Sequence, residues 1–91
     1  MGAKSRILLV DDDRDDYVLT RSLFAEMGGR YQLDWVSSYE AGLEGICKGE
    51  HDLYLFDYQL GEKTGLDLLA EARCKNCLGP VVLLTGQVGL E

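Results

Sequence analysis

Three acids and one hydroxyl stand where short apolar runs stop. Asp11 and Asp12 follow Ile7-Leu8-Leu9-Val10, Asp57 follows Leu53-Tyr54-Leu55-Phe56, and Thr85 follows Val81-Val82-Leu83-Leu84. Apolar runs of this length with abrupt polar ends read as strands buried on both faces, the kind that belong to parallel sheets. In such a sheet the strand ends of one polarity share an edge, so these residues converge although they lie far apart in the chain. Several carboxylates in one cleft stay charged only if a cation neutralises them; otherwise one keeps its proton and its pKa rises. Oxygen-only donors with room for water suit Mg²⁺ better than Zn²⁺, which asks for His or Cys. A hard cation beside a free carboxylate and a hydroxyl is the equipment of phosphoryl transfer, in which the metal offsets phosphoryl charge and a carboxylate can be the nucleophile. Asp57, alone at the end of its run, is the candidate nucleophile. Asp13, Asp15 and Asp16 read instead as acids of a helix N-terminus.

The elements that would hold these residues alternate. The first apolar run leads to a helix from Asp15 to Met27, halted by Gly28-Gly29, with Leu19, Leu23 and Met27 as its expected buried stripe. Tyr31, Leu33 and Trp35 alternate with polar residues as in a strand with one wet face. Ser37 and Glu40 fit a capping box that opens a second helix, with Tyr39, Leu43, Ile46 and Cys47 on one face and Gly42 and Gly45 weakening it. Gly61 and Gly65 bracket the loop after Asp57. Thr64 with Asp67 then caps a third helix whose face is Leu66, Leu69 and Ala70. The order is β-α-β-α-β-α-β, which implies a parallel sheet with right-handed crossovers.

Composition narrows the function. The 91 residues carry 16 acids against 9 bases, a net charge of −7, so cationic partners or metal ions fit and a nucleic-acid surface does not. MGAKSR is not a signal peptide, the aliphatic runs are too short to span a membrane, and a cytoplasmic address is expected. Cys47, Cys74 and Cys77 are too few for a disulfide framework and are expected to be reduced. Cys74-x-x-Cys77 falls at a helix end, where the dipole does not activate thiols, and His51 alone cannot complete a zinc site. His51 reads as a solvated loop residue at the edge opposite the acids. Trp35 and the tyrosines are expected to pack on the sheet, with Tyr39 and Tyr58 partly exposed.

ILLVDDD, LYLFDYQLGEKTGLDLL and VVLLTG, in this order and spacing, resemble the receiver domain of bacterial two-component response regulators over essentially the whole chain. The resemblance implies a flavodoxin-like α/β fold in which Asp57 is the phosphoacceptor, served by a sensor histidine kinase or phosphotransfer protein. It implies Mg²⁺ held by Asp12 directly, by Asp11 through water, by Asp57, and by the backbone carbonyl of Gln59. Thr85 matches the switch hydroxyl, and Gly86 the small residue beside it. Receiver sheets run 2-1-3-4-5, and their fifth strand carries a switch aromatic and a lysine. Residues 1–91 stop before it, so the expectation is one C-terminally truncated receiver domain with order 2-1-3-4 and no catalytic lysine. Lys63 is at most a weak substitute, transfer is expected to be impaired, and no enzymatic activity of its own is expected.

The bare fourth strand and the apolar face that the absent helices would cover imply a homodimer. Two other readings stand beside this one. A phosphorylation-incompetent interaction or dimerisation module needs only the fold. A haloacid-dehalogenase-like phosphatase would use Asp11-x-Asp13, but Asp15 stands where that motif wants Thr or Val.

Overall fold

Each apolar run becomes a strand because each is aliphatic or aromatic on both faces and can be covered from both sides. The computed structural model describes residues 5–84. In chain order these are β1 (Ser5–Val10), α1 (Arg14–Ala25), β2 (Tyr31–Val36), α2 (Tyr39–Lys48), β3 (Leu53–Asp57), β4 (Gln59–Leu60), β5 (Lys63–Thr64), α3 (Gly65–Cys74) and β6 (Val81–Leu84). The main sheet is parallel with order β2-β1-β3-β6. This is the expected 2-1-3-4, since β6 is the fourth of its strands along the chain. The loop after Asp57 is a small antiparallel hairpin, β4–β5, in which Gly61 takes φ 70°, a conformation that glycine adopts without strain.

Successive residues of β1 and β3 serve opposite faces, which splits the core in two. Leu8, Val10, Tyr54 and Phe56 meet Tyr39 and Ile46 of α2 and Leu68 and Ala72 of α3. Ile7, Leu9 and Leu55 meet Tyr17 and Phe24 of α1 with Trp35 of β2. The helix-weakening Gly42 and Gly45 have a packing reason: a Cβ at Gly42 would lie 2.7 Å from Val10 Cγ1, and one at Gly45 2.5 Å from Leu8 Cδ2. Glycine lets α2 lie directly on β1.

Several expectations need correcting. Leu19, Leu23 and Met27 are exposed at 64%, 62% and 53%, and the face of α1 turned to the sheet is Tyr17 and Phe24. The four-residue spacing was real, but the aromatics lie on the other side of the helix. There Tyr17 stacks on Trp35 at 4.6 Å and Phe24 meets Tyr31 at 5.4 Å, burying more area per residue. On α3 the buried positions are Gly65, Leu68 and Ala72, with Leu69 half-buried, while Leu66 is exposed. Ser38, not Ser37, caps α2, accepting from Ala41 N–H at 3.1 Å. The Thr64–Asp67 box on α3 forms as expected, with both bonds present.

Polar and sulfur chemistry also departs from expectation. Tyr39 is buried, its hydroxyl donating to Glu71 Oε1 at 2.6 Å, whereas Tyr58 is exposed. His51 is not solvated: its side chain is 9% exposed, and Nε2 lies 2.7 Å from Asp34 Oδ2. That hydrogen bond, with Arg6 also near, holds the Asp34 carboxyl below its ordinary range. Cys47 and Cys77 are joined in a disulfide rather than reduced, and only Cys74 is a free thiol. Spacing along the chain gave no sign of that pairing, because the docking of α2 and α3 side by side brings together residues 30 apart.

Candidate functional site

The strand-end acids do converge. Asp11, Asp12 and Asp57 each present an oxygen within 4.8 Å of the others. β1 and β3 are neighbours in register, Val10 beside Phe56, so the residues that follow them emerge together. Asp11 is 2% exposed and Asp57 8%, while Asp12 is open to solvent. Gln59, whose carbonyl the resemblance assigns to the metal, opens β4 two residues after Asp57. Thr85 and Gly86 lie outside the described residues.

Each acid is held from several sides. Asp11 N–H donates to Val36 C=O at 3.1 Å, and Asp13 N–H donates to Asp11 Oδ1 at 2.9 Å. The Asp11 carbonyl accepts from the Trp35 indole at 2.7 Å, and Trp35 is itself stacked on Tyr17. Asp12 Oδ2 accepts from Gly61 N–H at 3.3 Å, which ties the β4–β5 turn to the site. Beyond Asp57, Tyr58 N–H donates to Leu84 C=O at 2.8 Å and Tyr58 C=O accepts from Gly65 N–H at 2.8 Å. The start of α3 and the end of β6 therefore clamp the chain around the candidate nucleophile.

Two site residues were not legible as such. Asp16 read as a first-turn acid, yet its charge raises the pKa of both Asp57 and Asp11. The signal was available in its position one turn past the Asp13 cap. Trp35 read only as packing, and nothing local marks an indole that will reach a strand-end carbonyl. Asp13 and Asp15 keep the bland role, Asp13 capping α1 by accepting from Asp15 N–H at 2.9 Å. Lys63 is engaged elsewhere, its Nζ 4.5 Å from the centre of the Tyr39 ring. A shallow groove of about 330 Å³ runs from Asp12 past Ser37 to Gly61 and Lys63.

The crowding has an electrostatic result. Burial first, and then the charge of Asp57, push Asp11 up to about 7. Burial, and then Asp16, raise Asp57 above its ordinary range. A cluster of oxygens alone, short of positive charge, fits a hard divalent cation and no softer one.

The sign of the resulting pH dependence follows by linkage. Folded Asp11 holds its proton more tightly than the unfolded chain does, so its contribution to stability is full below pH 3.8 and is lost as pH rises to about 7. We predict that without divalent cations stability falls across that window, and that the Asp11→Asn variant shows a shallower fall. We further predict that Mg²⁺ at a hundredfold its Kd restores about 2.7 kcal/mol at neutral pH. Thermal melts of both proteins across pH test this, and parallel profiles for the two would refute it.

Comparison with known proteins agrees with the geometry. The family model described as the response regulator receiver domain matches residues 7–91. The aerobic respiration control sensor protein ArcB of Escherichia coli is 35% identical over 85 residues, which are 90% of this chain and 11% of that protein. Among solved structures, response regulator TrrA from Thermotoga maritima in complex with Mg²⁺-BeF superposes with TM-score 0.78 at 30% identity, covering 91% of this chain and 70% of that one. TrrA in complex with the histidine kinase ThkA gives TM-score 0.78 at 29% identity, covering 93% and 72%. The chain thus spans about one ninth of the length of that curated relative.

Proposed function

This chain belongs to the response regulator receiver family, and we propose that Asp57 accepts a phosphoryl group from the phosphohistidine of a sensor kinase or phosphotransfer protein, for which acetyl phosphate is the probe. The convergence of Asp11, Asp12 and Asp57 within 4.8 Å carries the reading. An Asp57 carboxylate oxygen bonds to phosphorus as the P–N bond to the imidazole breaks, and the imidazole keeps the electron pair and takes up a proton. Asp12, Asp11 through water, Asp57 and the Gln59 carbonyl would hold Mg²⁺, which when bound neutralises charge on the phosphoryl oxygens. Asp57, raised by burial and by its acidic neighbours, needs that neutralisation to act as an anion. Thr85, with Gly86 leaving room beside it, would turn its hydroxyl toward the phosphoryl group. A cytoplasmic address fits this reading, and among the described residues no helix is long and apolar enough to cross a membrane. The complex of TrrA with a histidine kinase, and TrrA with Mg²⁺-BeF, are the relatives' counterparts of the proposed partner and metal.

The test is incubation with acetyl phosphate and Mg²⁺, followed by intact mass. A gain of one phosphoryl group that disappears when Mg²⁺ is chelated supports the switch. No gain with either acetyl phosphate or a phosphorylated kinase overturns it and leaves the interaction module.

Self-association is the second reading that the surface favours. Among the described residues β6 is a sheet edge with Val82 45% exposed, and α1 and the turn after it show Leu19, Leu23 and Met27 to solvent. Edges and apolar faces of this kind pair with other chains. The expected result is a dimer at micromolar concentration in sedimentation velocity, shifted toward monomer by Val82→Lys. A monomer with a cooperative melt refutes it.

A further inference from the structure

The cysteines sit at the strand-start edge of the sheet, away from the acids. The Cys47–Cys77 bond joins the end of α2 to the turn between α3 and β6, and Cys74, the last residue of α3, keeps an exposed thiol three residues before Cys77. Cys47 is also exposed, while Cys77 is half-buried against the core. Exposed disulfides are the labile ones, because exchange requires a thiolate to reach a sulfur.

Neither element depends on the bond for its place. α2 is docked through Ile46, 1% exposed, and through the close approach of Gly42 and Gly45 to β1. The turn is held by its own backbone: Asn76 takes φ 60°, Asn76 N–H donates to Arg73 C=O at 3.0 Å, and Cys77 N–H donates to Ala72 C=O at 2.8 Å. That is a helix end closed in the Schellman manner, with the left-handed residue supplied by Asn. The sulfurs therefore stay facing each other when the bond is cut. Lys48, Arg73 and Lys75 flank the cysteines in sequence and suit an anionic reactant.

We propose that Cys47, Cys77 and Cys74 form a thiol–disulfide exchange site for anionic low-molecular-weight thiols of the glutathione class, with the Cys47–Cys77 bond a reversible strap between α2 and the α3–β6 turn. An incoming thiolate bonds to the Cys47 sulfur, the Cys47–Cys77 bond breaks, and Cys77 leaves with the electron pair and is protonated. A second small thiolate attacks the small-molecule sulfur of the mixed disulfide and releases Cys47 as thiolate. Two small thiols are oxidised to their disulfide, and the strap is reduced by two electrons; the small disulfide drives the reverse. Cys74 offers an internal route without change of oxidation level: its thiolate attacks Cys77, displaces Cys47 and leaves a Cys74–Cys77 bond with α2 untied. The strap sits at the entry to β6, whose far end pairs with Asp57.

The inference stands apart from the phosphoryl-transfer reading, since its readout is cysteine state alone. The chain purified without reductant is equilibrated in stepped ratios of reduced to oxidised glutathione, quenched in acid, alkylated and mapped by peptide mass spectrometry. The Cys47–Cys77 linked peptide is expected to predominate at the oxidising end and to fall progressively, with glutathionylated Cys47 appearing at intermediate ratios. Cys74→Ser should keep the strap and lose the Cys74–Cys77 isomer. Reduced wild type and Cys47→Ser should both still melt cooperatively, roughly 10–30 °C below the oxidised form. Full alkylation of all three cysteines at the oxidising end, or a linked peptide that survives the most reducing ratio, overturns the proposal.

Discussion

Asp57→Asn is expected to abolish the phospho-adduct and, at the same time, to make the protein more stable. Asn keeps the size of the side chain and an oxygen acceptor but cannot form the acyl phosphate. It also removes one charge from a pair in which Asp57 is 8% exposed and Asp11 2% exposed, with oxygens inside 4.8 Å of each other. Without a cation, that pair is repulsive and desolvated, so its relief is worth about 1 kcal/mol or more. The pKa of Asp11, raised in part by Asp57, should move back toward the ordinary carboxylate range. Mg²⁺ should then raise the melting temperature of the variant less than that of the wild type, because a ligand has been lost. Urea melts with and without Mg²⁺, paired with intact mass after acetyl phosphate, read all of this from one preparation. An adduct that persists in Asp57→Asn would place the acceptor elsewhere, and a variant less stable than wild type would mean that Asp57 is satisfied by its surroundings rather than strained by them.

The convergence of the strand-end acids was legible in the sequence because its logic is one of topology. Strands that end in acids, joined by right-handed crossovers, must bring those acids to one edge, and the β2-β1-β3-β6 order does so. What sequence could not supply was anything decided by packing between elements. Leu19, Leu23 and Met27 made as regular a stripe as Tyr17 and Phe24, and only the position of Trp35 on β2 settles which face turns inward. Gly42 and Gly45 looked like helix defects until Val10 and Leu8 were seen beneath them. Cys47 and Cys77 read as independent thiols for the same reason, since their pairing exists only when α2 and α3 lie side by side. The Asp34–His51 contact likewise links a strand to a loop 17 residues away.

Gly65→Ala is expected to cost about 2 kcal/mol or more and to slow phosphorylation of Asp57, although it adds only a methyl group. Gly65 is the first residue of α3, and a Cβ there would lie 2.5 Å from the carbonyl oxygen of Asp57 and 3.0 Å from Leu83 Cδ2. The nearer contact is backbone, at the residue whose side chain is the candidate nucleophile, so it cannot be relieved by a rotamer change. Either α3 retreats or the end of β3 shifts. Retreat would loosen the Gly65 N–H to Tyr58 C=O bond, and a shift would move Asp57 relative to Asp11 and Asp12. Overpacking of a dense interior typically costs 1–3 kcal/mol, roughly what a backbone clash of this size implies. A displacement of about 1 Å at a reacting group can lower rate about a hundredfold. Gly49→Ala is the contrasting control. Gly49, the C-cap of α2, has open space around its Cβ position but φ 66°, so alanine there meets strain without collision, at about 1 kcal/mol, and leaves the acids where they are. Urea denaturation and the rate of adduct formation separate the two: Gly65→Ala should lose both stability and rate, and Gly49→Ala a little stability alone. Equal rates in Gly65→Ala and wild type would show that the approach of α3 to Asp57 does not position the acceptor.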